Sequence, residues 1–205
     1  MPRNINTVGG GAQTNANGLR FEQTSELRDL FEESNEFTLF GDDVYRDGDK
    51  VATLYQKHSL YKNLLIPYGI DYTRFISRKL LPDDAILVHK SKTLFIIEKK
   101  FQSSSGSVDE KLQTCDFKKK QYTKLFRPLG IKIEYCYYLS EWFKQAEYRD
   151  VKQYILDVGC RYFFDEIPLD YVGLEKIFTH IIPNTTLMVH YTSYDLGPLP
   201  FIPTN

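Results

Sequence analysis

The chain has 205 residues, 42% of them hydrophobic and 15% aromatic, with a formal net charge of −1. That length supports one core without staples and that aromatic content excludes a disordered chain, while the near-zero charge gives no global positive excess to advertise nucleic-acid binding, although a local basic surface can sit beside an acidic cleft. No apolar run reaches membrane-spanning length and no charged-then-apolar signal pattern opens the chain, so a soluble, cytoplasmic protein without a membrane partner is expected.

Residues 1–17, rich in Gly, Asn and Thr and without periodicity, read as a flexible N-terminal arm, and residues 18–205 as a single domain with an extended C-terminal tail. Helical spacing runs from Leu19 to about Ser34, stacking Leu27, Leu30 and Phe31 on one side. Phe37–Phe40 reads as a strand. Val44-Tyr45 and Val51–Tyr55 flank Asp47-Gly48, a dipeptide that favours a tight hairpin turn. A short helix is expected over Ser59–Leu65, ended by Pro67, with another turn or two within Tyr72–Leu80. A second hairpin pairs Ala85–Val88 with Leu94–Phe101 through Lys90-Ser91-Lys92, and Ser103–Gly106 forms a loop.

Ser107-Val108-Asp109-Glu110 is a capping box. It opens a helix to roughly Phe126, with Leu112, Phe117, Tyr122 and Leu125 among its apolar positions, stopped by Pro128-Leu129-Gly130. Ile131–Leu139 reads as a strand. A helix from about Tyr148 to Val158 follows, with Gly159 past its end, then a short strand at Tyr162–Phe164. Beyond Pro183, the prolines at 198, 200 and 203 keep the tail extended. The predicted fold is α/β, a mixed central β-sheet flanked by helices.

Cys115, Cys136 and Cys160 are odd in number and widely spaced, which suits buried thiols in a reducing compartment. His58, His89, His180 and His190 form no H-x-x-x-H pair, with no cysteines nearby to complete a zinc site. No glycine-rich phosphate loop followed by Lys and Ser or Thr appears.

The chemistry concentrates in Leu81–Gln102, LPDDAILVHKSKTLFIIEKKFQ. Strand alternation places Glu98, Lys100 and Gln102 on one face, and Phe95, Ile97, Lys99 and Phe101 on the other. Ionisable residues at the end of so apolar a strand are expensive to place unless paired or metal-bound. Asp83, at the mouth of the first strand, reaches toward Glu98. Two carboxylates and an amine on one spot are the equipment for metal-assisted hydrolysis of a phosphodiester. Asp84 adjoins Asp83, and a shift of one residue moves a strand side chain to the opposite face. Asp83 is preferred because it directly follows Pro82, and Lys99 is expected to point away.

Pro82-Asp83 followed by Glu98-x-Lys100 after a hydrophobic strand resembles the signature of the PD-(D/E)XK nuclease superfamily. The resemblance implies a restriction-endonuclease-like αβββαβ core from Leu19 to about Leu139. Gly18-Leu19-Arg20-Phe21-Glu22 is similar to the opening helix of type II restriction endonucleases, and Gly106–Gln113 to the segment after their catalytic strand. By this resemblance Asp83, Glu98 and Lys100 are catalytic. Asp83 and Glu98, joined by Glu22 from the first helix, hold Mg2+, and Lys100 orients or activates the attacking water and stabilises charge on phosphorus. The implied activity is that of a type II site-specific deoxyribonuclease, cutting double-stranded DNA to 5′-phosphate and 3′-hydroxyl ends. A homodimer follows from a palindromic site, and a cognate methyltransferase would act separately. A DNA-repair or junction-resolving nuclease, or a non-catalytic DNA-binding subunit on the same fold, are the alternatives. DNA contacts are expected from Gln102, Lys118, Lys120 and Lys124 and from Lys90 and Lys92, with bases read from segments 41–66 or 183–205.

Overall fold

Strands rich in Val, Ile, Leu and Phe build a seven-stranded sheet in the computed structural model, which describes residues 27–32, 36–102, 108–164 and 166–174. In chain order they are β1 (Thr38–Phe40), β2 (Asp43–Arg46), β3 (Asp49–Tyr55), β4 (Asp84–Val88), β5 (Thr93–Lys100), β6 (Lys132–Leu139) and β7 (Arg161–Phe164). Neighbours in sequence are neighbours in the sheet. Pairing is antiparallel from β1 through β5 and parallel for β5–β6 and β6–β7. The α-helices are α1 (Leu27–Glu32), α2 (Val108–Leu112), α3 (Cys115–Phe126) and α4 (Arg149–Asp157). The fold is α/β around a mixed sheet.

Both parallel steps need crossover helices, and right-handed crossovers stepping the same way put those helices on one face. Cys115, Tyr122, Leu125 and Phe126 of α3 and Ile155 of α4 share a core with Leu94 and Ile96 of β5 and Tyr135 and Tyr137 of β6. The other face of the same strands presents Ile86, Val88, Phe95 and Ile97 to Leu27 and Phe31 of α1 and to Ile167, Val172 and Leu174. Cover on both faces explains why β4 and β5 are almost continuously apolar rather than alternating. Cys115, Cys136 and Cys160 are buried as free thiols.

The β2–β3 connection is the two-residue turn expected at Asp47-Gly48. Both residues have positive φ, 52° and 87°, the geometry whose twist matches the flanking strands. No atom crowds the place of a Gly48 Cβ, so Gly48→Ala carries a purely conformational penalty of about 1 kcal/mol. The expected result is a lower urea midpoint with an unchanged slope, and a smaller loss for Gly48→Asn.

Three local expectations differ from the structure. The helix predicted from the capping box to Phe126 divides at Gln113-Thr114 into α2 and α3. Tyr137, from β6, donates its hydroxyl to the carbonyls of Lys111 (3.1 Å) and Leu112 (3.3 Å), and the Thr114 hydroxyl donates to Lys111 O at 2.7 Å. These bonds occupy carbonyls that a continuous helix would use. Phe117, expected among the apolar positions, is 60% exposed and turns away from the buried side of α3. Pro67 does not end the helix before it. A π-helical turn at Leu60–Leu65 runs straight into a 3-10 turn at Ile66–Tyr68, where proline sits in the first turn and no amide is lost.

The arm at 1–17, Glu22, the loop and capping serine at 103–107, His180, His190 and the segment 183–205 lie outside the described residues. Among the described residues no helix is long and apolar enough to cross a membrane.

Candidate active site

The β4–β5 ladder runs from Val88↔Thr93 to Asp84↔Ile97. One step further along that register, Asp83 stands opposite Glu98. The backbone ladder ends there because the Asp83 side chain replaces it: its Oδ2 accepts the Lys99 N–H at 2.8 Å. Just upstream, the carbonyl of buried Pro82 accepts the Lys57 N–H at 2.9 Å, which fixes the mouth of the strand.

Like charges directly opposite each other on a sheet repel. Two lysines offset this. Lys100 Nζ lies 3.1 Å from Glu98 Oε2 and 3.9 Å from Asp83 Oδ2, so one ammonium lies near both carboxylates. It also donates to Lys99 O at 2.9 Å and lies 5.9 Å from the Tyr137 ring centre. The second cation arrives from α3, where Lys118 Nζ stands 3.1 Å from the same Glu98 oxygen. The Glu98 side chain is 8% exposed and that of Asp83 23%, so the aspartate forms the open side of the cluster.

The pleat sends the next residue of each strand through the sheet. Asp84 and Lys99 meet on the opposite face at 2.6 Å, with side chains only 3% and 5% exposed. Gln56 Nε2 donates to Asp84 Oδ1 at 2.7 Å. The two adjacent aspartates thus serve two ion pairs back to back. Only Asp83 shares a face with Glu98 and Lys100.

Behind the carboxylates stand three tyrosines, Tyr122, Tyr135 and Tyr137. Burial, reinforced by the negative charge of Glu98, holds the Tyr122 and Tyr135 phenols far above their ordinary range. The Tyr137 hydroxyl is raised chiefly by burial. All three stay neutral and form a wall that shields the charged cluster from water on its inner side.

Among the described residues no group of three or more His, Cys, Asp or Glu side chains is placed to hold a metal ion. A pair of hard carboxylate oxygens suits magnesium, which keeps several waters and takes phosphate oxygens to complete its octahedron. Asp83 and Glu98, on one face and sharing a cation, are the pair that fits.

The remaining expected contacts are dispersed. Gln102 lies past the end of β5, is 2% exposed and exchanges 3.3 Å bonds between its backbone and the Ser140 hydroxyl, so it offers almost no surface to a phosphate. Lys120 is 69% exposed and paired with Asp116 at 2.7 Å, one helical turn earlier. Lys124 lies on the outer side of α3 and lines a cavity with Arg74. Lys90 and Lys92 occupy the hairpin turn at the other end of β4 and β5, roughly 16 Å from the carboxylates at strand spacing. Sequence reasoning did not find Arg74, which sits in an irregular segment without periodicity. It expected Lys118 on DNA and did not foresee its contact with Glu98. The signal for that contact was the β5–helix–β6 order, because a parallel crossover returns the first turns of its helix past the end of the strand it has left.

No protein-family model matches the chain, and no curated protein or solved structure matches it.

Proposed function

We propose that the protein is a magnesium-dependent endodeoxyribonuclease that hydrolyses phosphodiester bonds of double-stranded DNA at a short specific sequence. One observation carries this reading: Asp83, Glu98 and Lys100 meet at one end of β4 and β5, with a single ammonium within 3.9 Å of both carboxylates. The order lends partial support: the antiparallel meander β3–β4–β5, followed by helices α2 and α3 and the parallel strand β6, corresponds to the βββαβ part of the expected core, while β1 and β2 stand between α1 and β3 as additions to it.

In this reading Asp83 and Glu98 would hold the metal, which when bound would supply Lewis-acid polarisation of a phosphoryl oxygen and make a water more acidic. Lys100 donates to an oxygen of the scissile phosphate as negative charge builds there, and positions the water in line with the leaving 3′-oxygen. The water oxygen bonds to phosphorus, the bond from phosphorus to the 3′-oxygen breaks, and a proton from the water balances the released 3′-hydroxyl. The products are a 5′-phosphate and a 3′-hydroxyl. The neutral tyrosine wall lowers the local dielectric and strengthens each of these interactions. A two-fold dimer places one such centre on each strand of a palindrome.

The test is incubation of the purified chain with supercoiled plasmid, in magnesium and in a chelator. Discrete linear fragments that appear only with magnesium are the expected result. Random nicking, or cleavage of branched substrates alone, removes the sequence-specific part and leaves phosphodiester hydrolysis. No cleavage of plasmid, branched or single-stranded DNA with magnesium or manganese overturns the reading.

A further inference from the structure

Helix α3 carries Lys118, Lys124 and Arg127, the last at its end, in one i, i+3 row with Gln121. The row starts at Glu98, where Lys118 is held, and descends the helix by about 9 Å to Lys124 and about 14 Å to Arg127. There it meets an open cavity of about 520 Å³ lined by Arg74, Phe75, Lys124, Arg127 and Pro128.

The lining of this cavity is unbalanced. It holds three cations and no carboxylate, and among the described residues none of the three makes an ion pair. Their neighbours do not compensate. Asp71, three residues before Arg74, feels that charge, but its carboxylate accepts the Thr73 N–H at 3.0 Å and hydroxyl at 2.8 Å. Elsewhere on α3, Lys118, Lys119 and Lys120 each have an acidic partner, Glu98, Glu134 and Asp116. The cavity thus gathers three cations without an ion pair beside Phe75 and Pro128.

We propose that this cavity is a docking site for the phosphate backbone of DNA, reached along the α3 row from the carboxylate pair. At 3.4 Å of duplex axis per phosphate on a strand, the 9–14 Å descent corresponds to about three or four phosphates from the scissile bond. Two guanidiniums and one ammonium match successive phosphates, the arginines as bidentate forks. The proposal rests on the nuclease reading for its ligand, but the binding it describes needs neither metal nor catalysis.

The test separates the two. Binding of a fluorescently labelled DNA duplex is measured by anisotropy in a chelator at several salt concentrations, for the full chain, for R74A/K124A/R127A and for R74K/R127K. The expected result is that the triple variant loses affinity by roughly tenfold and that the slope of log affinity against log salt falls by about 2 to 3, while the charge-keeping variant retains the slope. A triple variant with unchanged affinity and slope, in a chain that binds and cuts DNA, overturns the cavity and leaves the nuclease standing. Binding lost with the triple variant in a chain that cuts no DNA upholds the cavity and sinks the nuclease. No duplex binding by the unaltered chain overturns the proposal outright. Circular dichroism confirms the fold of each variant, and Arg74, Lys124 and Arg127 are all exposed.

Discussion

Lys100→Met is expected to reduce magnesium-dependent cleavage of duplex DNA by about a thousandfold, with the fold intact. The size follows from position. The Lys100 ammonium is the group near both carboxylates, and in the proposed hydrolytic step it would be the preorganised donor aimed at charge that develops on phosphorus. Removing one such donor from a site shielded from water costs about 3 to 4 kcal/mol of transition-state stabilisation. The fold survives because Glu98 keeps its second partner, Lys118, at 3.1 Å, and because the Lys100 side chain is 15% exposed rather than sealed. Methionine keeps an unbranched stem of similar length while removing the charge. Single-turnover cleavage with DNA in excess of its dissociation constant checks the prediction, with thermal melting run alongside. Cleavage at the unaltered rate, by a variant that melts normally, removes Lys100 from the chemistry.

Much of this site was legible because a strand has a period of two. Once Phe95, Ile97 and Lys99 are assigned to one face, Glu98 and Lys100 are forced to the other. The Asp47-Gly48 turn was readable for a similar reason, since few dipeptides take positive φ twice. What was hidden depends on partners far apart in sequence. The break between α2 and α3 is set by the hydroxyl of Tyr137, 25 residues beyond Leu112. Lys118 is recruited by Glu98 across a parallel crossover, 20 residues further along the chain. Lys90 and Lys92 are close to Glu98 along the chain yet lie at the wrong end of the hairpin, because a turn reverses direction and converts nearness in sequence into strand length. Arg74 lies in a segment whose backbone is made of single turns, and such segments leave no periodic trace.

The choice between Asp83 and Asp84 is a question of register, and it has a second large consequence. Asp84→Asn or Lys99→Met is expected to destabilise the protein by about 3 to 5 kcal/mol, while Asp83→Asn changes stability little and abolishes cleavage. Asp84 and Lys99 are 2.6 Å apart with side chains 3% and 5% exposed, surrounded on their face by Ile86, Val88, Phe95 and Ile97. Removing one member takes away the opposite charge that offsets most of the other's desolvation. Replacing both at once, as D84L/K99M, removes both charges together, and recovery of most of the lost stability is expected even though two native groups are gone. Asp83, by contrast, sits at the open end of the ladder with its side chain 23% exposed, and asparagine there still offers an oxygen to the Lys99 N–H. Urea unfolding of the four variants measures the stability arm, and cleavage per folded molecule measures the other. Should Asp84→Asn unfold at the native midpoint and lose cleavage while Asp83→Asn keeps it, the strand register at the site is wrong by one residue, and the carboxylate that faces Glu98 is Asp84.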